Sequence, residues 1–260
     1  MTENQDLPSQ NWITQNPSAL HSQPLTDSDL HIWRAILAGS SSEFSYYSSM
    51  LSPTELTRAE RFYFERDRDR YIFGRGILRT LLGNYLGIKA SEVEITYGAY
   101  GKPGLQSKAE KKSLEFNLSH SNDRAMFVFN WNRIVGIDIE HIRPFSDADE
   151  FAERFFSQQE KELIKSLTDE KKWEAFFKLW TCKEALLKAT GSGLTVPLNE
   201  AVISLGSNGS AQLTSIGGDV EQAARWHLET FKPVADYQAA VILEGHAGQL
   251  IFQEFNHPIV

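Results

Sequence analysis

Apolar residues recur at two different spacings along this chain, and the switches between those spacings mark out its elements. A β-branched and aromatic run at 30–38 predicts an opening strand. Ser52-Pro53-Thr54-Glu55 predicts a helix start. The serine can cap, proline suits the first helical position, and the glutamate three residues on can close a capping box. One helix is expected over 56–65 and a longer one over 68–86. In the second, Tyr71, Ile72, Leu78, Leu81, Leu82 and Tyr85 keep near-helical spacing and Gly87 is the stop. A short strand at 93–97 leads into a loop holding Gly98, Gly101, Pro103 and Gly104, then an exposed Lys/Glu stretch. Strands are expected at 115–118, 125–130 and 135–140. Ser157-Gln158-Gln159-Glu160 repeats the capping-box signature and opens a helix to about 167. The strongest helix covers 172–190 and ends at Gly191 and Gly193; strands at 201–205, 211–215, 226–231 and 238–243 follow.

The long helix from Phe73 to Gly87 echoes the one from Trp180 to Gly191: each carries basic residues, stops at glycine and precedes strands. By itself the echo is weak, and coincidence is the readier explanation. Duplicated α+β halves would put one active site in the cleft between them.

Composition narrows the class. With 41% hydrophobic and 23% charged residues over 260 positions, the chain reads as a soluble globular protein with one large core or two smaller ones. No apolar run reaches the roughly 18–20 residues of a membrane helix, and the N-terminus lacks a signal-peptide layout. Residues 1–29, rich in Gln, Asn, Ser and Pro, are expected to be a disordered tail outside the fold. Cys182 is the only cysteine, which excludes an internal disulfide and suits a cytoplasmic location. A net charge of −8 argues against nucleic acid as a partner. Yet Arg58, Arg61, Arg66, Arg68, Arg70, Arg75 and Arg79 fall within 22 residues, forming either a solvated helix face or a site for a multiply charged anion.

Within Gly136-Ile137-Asp138-Ile139-Glu140, strand alternation turns Asp138 and Glu140 to one face, roughly 7 Å apart at Cα, and buries Ile137 and Ile139 on the other. Two like charges on one face repel unless a cation sits between them; Mg²⁺ suits such oxygen ligands and keeps substrate phosphates as further ones. A solvent-facing polar strand is the alternative. Trp180, Glu184 and Lys188 stand at i, i+4 and i+8 on the strongest helix. Glu184 there is either a third carboxylate for the cation, with Lys183 and Lys188 beside it for phosphate oxygens, or half of an ordinary surface pair with Lys188. Phe116-Asn117-Leu118-Ser119-His120-Ser121 ends a strand in small polar residues and a histidine, and Gly101-Lys102-Pro103 holds a lysine in a stiff loop. Each of these also fits a purely structural part.

Taken in order, Arg61-Phe62-Tyr63, Arg70 to Arg79, Gly101-Lys102-Pro103, Phe116 to Ser121, Gly136 to Glu140, Phe155-Phe156-Ser157 and Trp180-Thr181-Cys182-Lys183-Glu184-Ala185 to Lys188, closed by Gly191-Ser192-Gly193-Leu194, resemble the 4′-phosphopantetheinyl transferase superfamily, in its larger surfactin-synthetase-activating type. The resemblance spans about residues 30–245. It implies a pseudo-twofold α+β fold of two similar halves, here 30–131 for coenzyme A and 132–260 for Mg²⁺ and the carrier protein. It implies transfer of phosphopantetheine from coenzyme A to a serine of an apo acyl, peptidyl or polyketide carrier protein. Asp138, Glu140 and Glu184 would be the ligands of Mg²⁺, with Mn²⁺ as a substitute. Asp138, Glu184 and Lys188 would serve catalysis, with Glu184, or a metal-bound water it orients, the candidate base. Lys183 and Lys188 would meet the pyrophosphate, Lys102, Pro103, Ser119 and His120 would add coenzyme A contacts, and Tyr100 and Gly101 would border the adenine. Arg58 and Arg70 would hold the 3′-phosphate and adenosine end. Glu55 stands where some relatives are basic and Tyr71 where they have a small hydroxyl residue, so that end departs from the pattern. The segment 143–156 would be part of the carrier surface, its Phe145, Phe151 and Phe155 serving as anchors or as core. With both halves in one chain, a monomer is expected. A different Mg²⁺-dependent nucleotidyl- or phosphotransferase and a non-catalytic carrier-binding module are the rival readings.

Overall fold

The computed structural model describes residues 10–15, 24–106, 112–191 and 197–258. In chain order, its strands and helices are β1 (Ile13–Gln15), β2 (Leu30–Ile36), α1 (Ser41–Met50), α2 (Pro53–Ala59), α3 (Glu65–Leu86), β3 (Ile95–Tyr97), β4 (Pro103–Leu105), β5 (Leu114–Ser121), β6 (Arg124–Trp131), β7 (Val135–His141), α4 (Ala148–Phe155), α5 (Gln158–Ser166), α6 (Asp169–Thr190), β8 (Ala201–Leu205), β9 (Ala211–Ile216), α7 (Val220–Ala224), β10 (Trp226–Phe231), β11 (Tyr237–Glu244) and β12 (Leu250–Phe255). The mixture is α+β, as expected. Gly193 and most of the Lys/Glu stretch, 107–111, lie outside the described residues.

Local chemistry explains the helix limits. Ser52 caps α2 and Ser157 caps α5, each in a reciprocal box with the glutamate three residues on. Helices α3 and α6, both 22 residues long, stop where Gly87 and Gly191 take the left-handed conformation, at φ 67° and 60°. Helix α1 has no counterpart among the expected elements: its serine-rich sequence has weak helix propensity. A third capping box, Ser40 with Glu43, was the available sign.

Alternation in the strands then builds three cores. The first sheet runs β1-β12-β2-β6-β5 and the second β10-β11-β7. Trp33, Phe127 and Phe129 turn to one side of the first sheet and pack with Ile77, Leu78 and Leu81 of α3. Their neighbours Ile32, Met126 and Val128 turn to the other side, into a middle core with Ile137, Ile139, Val241 and Leu243 of the second sheet. Ala240 and Ile242 face outward again, onto Leu179, Ala185 and Leu186 of α6. The two sheets are therefore lined by one long helix each and joined through a shared apolar middle. The buried Ile137 and Ile139 sit where period-two alternation puts them.

Two expectations change here. Residues 1–29 are not wholly outside the fold. β1 pairs in parallel with β12, Trp12 packs 5.1 Å from the Phe252 ring, and Trp131 Nε1 donates to Leu25 O at 3.0 Å. An uncovered β12 would expose a row of unpaired backbone groups, which β1 satisfies. In addition, β12 itself lies between β1 and β2. The last strand thus completes the sheet of the N-terminal half, so the halves exchange chain and do not divide cleanly at 131.

Candidate active site

The edges of the two sheets meet where β5 runs beside β7, and side chains bridge the seam. Asn117 Oδ1 accepts from Ile137 N at 3.2 Å, and Ser121 Oγ accepts from His141 N at 3.1 Å. Ser121 Oγ also donates to Glu140 Oε2 at 2.9 Å, and Ser119 Oγ donates to Asp138 Oδ1 at 2.8 Å. Alternate residues of one strand therefore hold both the backbone and the carboxylates of the other.

Helix α6 lies against the same face of β7, close to Gly136. Its Glu184 and Lys188, one turn apart, come to the carboxylates. Lys188 Nζ donates to Asp138 Oδ1 at 2.6 Å and to Ser119 Oγ at 2.7 Å. Asp138 is buried, and its Oδ2 has no hydrogen-bond partner among the described residues. All three carboxyl groups hold protons more tightly than usual. Burial raises Asp138, against the pull of Lys188; burial and then the Asp138 charge raise Glu140; burial and then Asp138 push Glu184 up to about 7. One ammonium facing three carboxylates leaves the cluster short of positive charge.

A hard divalent cation fits that deficit. The orphaned Asp138 Oδ2 is an oxygen ligand without a partner, and Mg²⁺ is commonly held by one or two carboxylates with waters and phosphate oxygens completing its shell. Among the described residues, no three acidic, histidine or cysteine side chains stand together as a group that could hold a metal ion, so Asp138, Glu140 and Glu184 do not form such a group by themselves.

His120 follows Ser119 at the end of β5. Partial burial, then the nearby Lys188 and Arg70 charges, hold its imidazole below the ordinary range. Arg70 stands on α3, with Nη1 3.7 Å from Asp67 Oδ1. Lys102 does something other than expected. Its Nζ donates to Ala189 O at 2.7 Å and Val135 O at 3.4 Å, clasping the end of α6 and the start of β7 from the opposite half. Gly101 takes φ 80° beside the exposed Tyr100, and Pro103 opens β4 opposite Tyr97.

Lys183 needs a correction. Its ammonium is wholly buried 2.9 Å from Glu160 Oε2 and donates to Leu198 O and Ala201 O, so it is no phosphate contact. Successive helix residues differ by about 100° in direction, so the neighbour of Glu184 faces away from the seam. Trp180 shares the Glu184 stripe but packs 4.4 Å from the Phe151 ring. Phe145, Phe151 and Phe155 are half-buried against the core of α6, not free anchors. Residues that sequence reasoning did not single out are Asn117, Ser121 and Glu160. The period-two run Asn117, Ser119, Ser121 was the available sign for the first two.

A groove of ≈ 1260 Å³ lies in the N-terminal half, lined by Ser52, Arg58, Arg61, Tyr71, Arg79 and Tyr97 among others, and by none of the three carboxylates. Glu55 is buried here and turned to Arg79 Nε at 2.7 Å while closing its own cap. The acid at this position is thereby occupied internally.

Glu184 carries a pH signature. Folding raises it from about 4.5 to about 7, so the folded state binds the proton more tightly. That contribution is fully present below pH 4 and disappears as pH rises through 7. For a half-buried group, screened by solvent, we expect a loss on the order of 1–2 kcal/mol. Asp138 and Glu140 add in the same direction. Urea midpoints of chelator-treated protein should therefore fall between pH 5 and 8, and Glu184→Gln should flatten the slope. An unchanged slope in that variant would assign it to other groups.

Comparison with known proteins bears on this geometry. The family model described as the 4′-phosphopantetheinyl transferase superfamily matches residues 134–242, and that of a 4′-phosphopantetheinyl transferase N-terminal region matches 36–130. The chain is 40% identical over 244 residues to the 4′-phosphopantetheinyl transferase HetI of Nostoc sp., covering 94% of this chain and 98% of that one. It is 29% identical over 174 residues to the 4′-phosphopantetheinyl transferase Sfp of Bacillus subtilis, covering 67% and 75%. The two family models part at the start of β7, where the sheets meet at the seam, and together with near full-length similarity they show that the chain belongs to the 4′-phosphopantetheinyl transferase superfamily, in its Sfp-like type.

Proposed function

We propose that the chain transfers 4′-phosphopantetheine from coenzyme A to a serine of an apo acyl, peptidyl or polyketide carrier protein, releasing 3′,5′-ADP. The observation behind this is the buried, underneutralised cluster of Asp138, Glu140, Glu184 and Lys188 at the seam, in a chain of this superfamily. Mg²⁺, or Mn²⁺ in its place, would be held by Asp138, Glu140 and Glu184 and would supply charge neutralisation at the pyrophosphate.

The chain's own residues account for the remaining steps. The carrier serine oxygen forms a bond to the β-phosphorus while the bond from that phosphorus to the bridging oxygen of 3′,5′-ADP breaks. A serine hydroxyl needs a base. Glu184, or a water that it orients, is the candidate to take that proton. Lys188 Nζ, 2.6 Å from Asp138 Oδ1, offers positive charge to the leaving pyrophosphate oxygen. Ser119 holds Lys188 and Asp138 in register. His120 and Arg70 flank the cluster toward the nucleotide, and Arg58, Tyr100, Gly101 and Pro103 border the adenosine end.

Both walls of the cleft come from one chain, so a monomer suffices for the reaction. No helix among the described residues is long and apolar enough to cross a membrane; a cytoplasmic place of action goes with a free cysteine and with coenzyme A as substrate.

Intact-mass spectrometry of apo carrier proteins, incubated with this chain, coenzyme A and Mg²⁺, tests the proposal. The carrier should gain the mass of one phosphopantetheine, and EDTA should abolish the gain. A folded sample that modifies no fatty-acid, polyketide or peptidyl carrier would overturn it.

A further inference from the structure

The loop between β3 and β4 ties the two halves together at the end of the helix that carries the site. Backbone bonds close its turn: Gly98 N donates to Lys102 O and Gly101 N to Gly98 O, at 2.9 Å each, with Gly101 in the left-handed region. From this turn Lys102 crosses to the C-terminal half, where Nζ donates to Ala189 O at 2.7 Å and Val135 O at 3.4 Å. Ala189 is the penultimate residue of α6, so its carbonyl is among the last four, which have no partner within the helix. The negative end of the helix dipole favours a cation there as well. Of the three N–H donors of a lysine, two go to the chain's own carbonyls.

The grip falls beside the reacting groups. Gly136 follows Val135, and a Cβ on Gly136 would lie 2.6 Å from Ala189 N, so Lys102 holds α6 and β7 where their backbones nearly touch. Lys188 precedes Ala189, and its Nζ reaches Asp138 Oδ1 on β7 at 2.6 Å. The clasp is therefore one residue away from the ammonium of the cluster. The path of the lysine stem is also shaped for it. A Cβ on Gly191 would lie 2.7 Å from Lys102 Cδ and 3.6 Å from Lys102 Cβ. Gly191 thus serves twice, as the left-handed stop of α6 and as the gap through which Lys102 passes. Burial holds the Lys102 ammonium below the ordinary lysine range, against the pull of the Glu115 charge. Burying a cation costs free energy that an exposed lysine avoids, and here carbonyls offset it.

Resting on the transferase reading, we infer that Lys102 is a positioning residue for that reaction. Its side chain fixes the end of α6 against β7, and through α6 the place of Lys188 and Glu184 relative to Asp138, and does not itself bind coenzyme A. Without the ammonium, Ala189 O and Val135 O lose a donor, the last turn of α6 loosens, and Lys188 is no longer held at Asp138 as charge builds on the leaving oxygen. A loss of that kind appears in turnover. The nucleotide, held by other residues, binds as before.

Lys102→Met keeps a stem and removes the charge. Its kcat should fall about 10–100-fold, the range for a displacement of up to about 1 Å at reacting groups, while KM for coenzyme A and the calorimetric affinity for 3′,5′-ADP stay near wild type. Rates are compared at temperatures where thermal melts show both proteins folded. Hydrogen exchange of the amides at 187–191 should be faster in the variant. Lys102→Cys treated with 2-bromoethylamine regrows an ammonium on a stem of equal length, and the buried Cys182 is shielded from the reagent. Both kcat and exchange should then return toward wild type. Weakened 3′,5′-ADP binding would make Lys102 a substrate contact and overturn the proposal. So would unchanged kcat and exchange in Lys102→Met, or losses that the regrown ammonium does not reverse. A wild type that transfers nothing would defeat the transferase reading instead, and exchange at 187–191 would still decide whether Lys102 holds the helix.

Discussion

Asp138→Ala should eliminate phosphopantetheine transfer, with kcat/KM falling by at least about 10³, while the protein stays folded. The loss follows from what Asp138 does at the seam: its Oδ1 joins β7 to β5 through Ser119 Oγ and to α6 through Lys188 Nζ, while Oδ2 has no hydrogen-bond partner among the described residues. Several kcal/mol of charge stabilisation at about 1.4 kcal/mol per tenfold rate gives the factor. Stability should change little, for two reasons. Burial already disfavours the ionised form of Asp138, and Lys188 keeps both its bond to Ser119 and 30% of its side-chain exposure. Asp138→Asn, equal in shape but uncharged, should fail equally if charge is what counts. Transfer assays beside thermal melts decide this, and Mn²⁺ binding followed by electron paramagnetic resonance should weaken in both variants. Activity within tenfold of wild type would remove Asp138 from the chemistry.

What the sequence revealed about this site follows the range of the interactions. Capping boxes span three residues, and those at Ser52 and Ser157 were legible in full. The αL stops at Gly87 and Gly191 were equally local. The common face of Asp138 and Glu140 follows from strand period alone, and the structure adds that the face turns to α6 rather than to solvent. Errors arose where direction or partner is set at a distance. Lys183 sits next to Glu184 in sequence yet about 100° round the helix, where Glu160 neutralises it from α5. Glu160 itself read only as a cap, although its Oε1 also accepts from Ile203 N at 2.7 Å. The parallel pairing of β12 with β2, and of β1 with β12, joins segments over two hundred residues apart and leaves no periodic trace in either. Lys102 read as a coenzyme A contact in a stiff loop, whereas its acceptors, Ala189 O and Val135 O, belong to segments that no local pattern ties to it.

Gly136→Ala tests the other requirement of the site, the distance between α6 and β7. A Cβ built on Gly136 would lie 2.1 Å from Ala185 O, 2.6 Å from Ala189 N and 2.9 Å from Ala189 Cβ. Two of those atoms are helix backbone, so no side-chain rotation relieves the clash and the helix itself must retreat. Overpacking of a core in this way costs typically 1–3 kcal/mol, and a backbone obstacle belongs at or above the upper end. For a chain of this size, about 3 kcal/mol lowers Tm by roughly 6–12 °C. Retreat of α6 also draws Lys188 and Glu184 away from Asp138, breaking a contact now at 2.6 Å, and a shift near 1 Å is enough to cost about 10²-fold in rate. The loss of rate should therefore exceed what unfolding alone explains and persist at temperatures where the variant is fully folded. Gly74→Ala on α3 is the matched control. Its added Cβ would meet only Leu37 Cδ2, at 3.6 Å, and the exchange removes a helix-weakening glycine, so stability should hold or rise by up to about 1 kcal/mol. A Gly136→Ala protein that melts and turns over like wild type would show that close approach of helix and strand does not set the site.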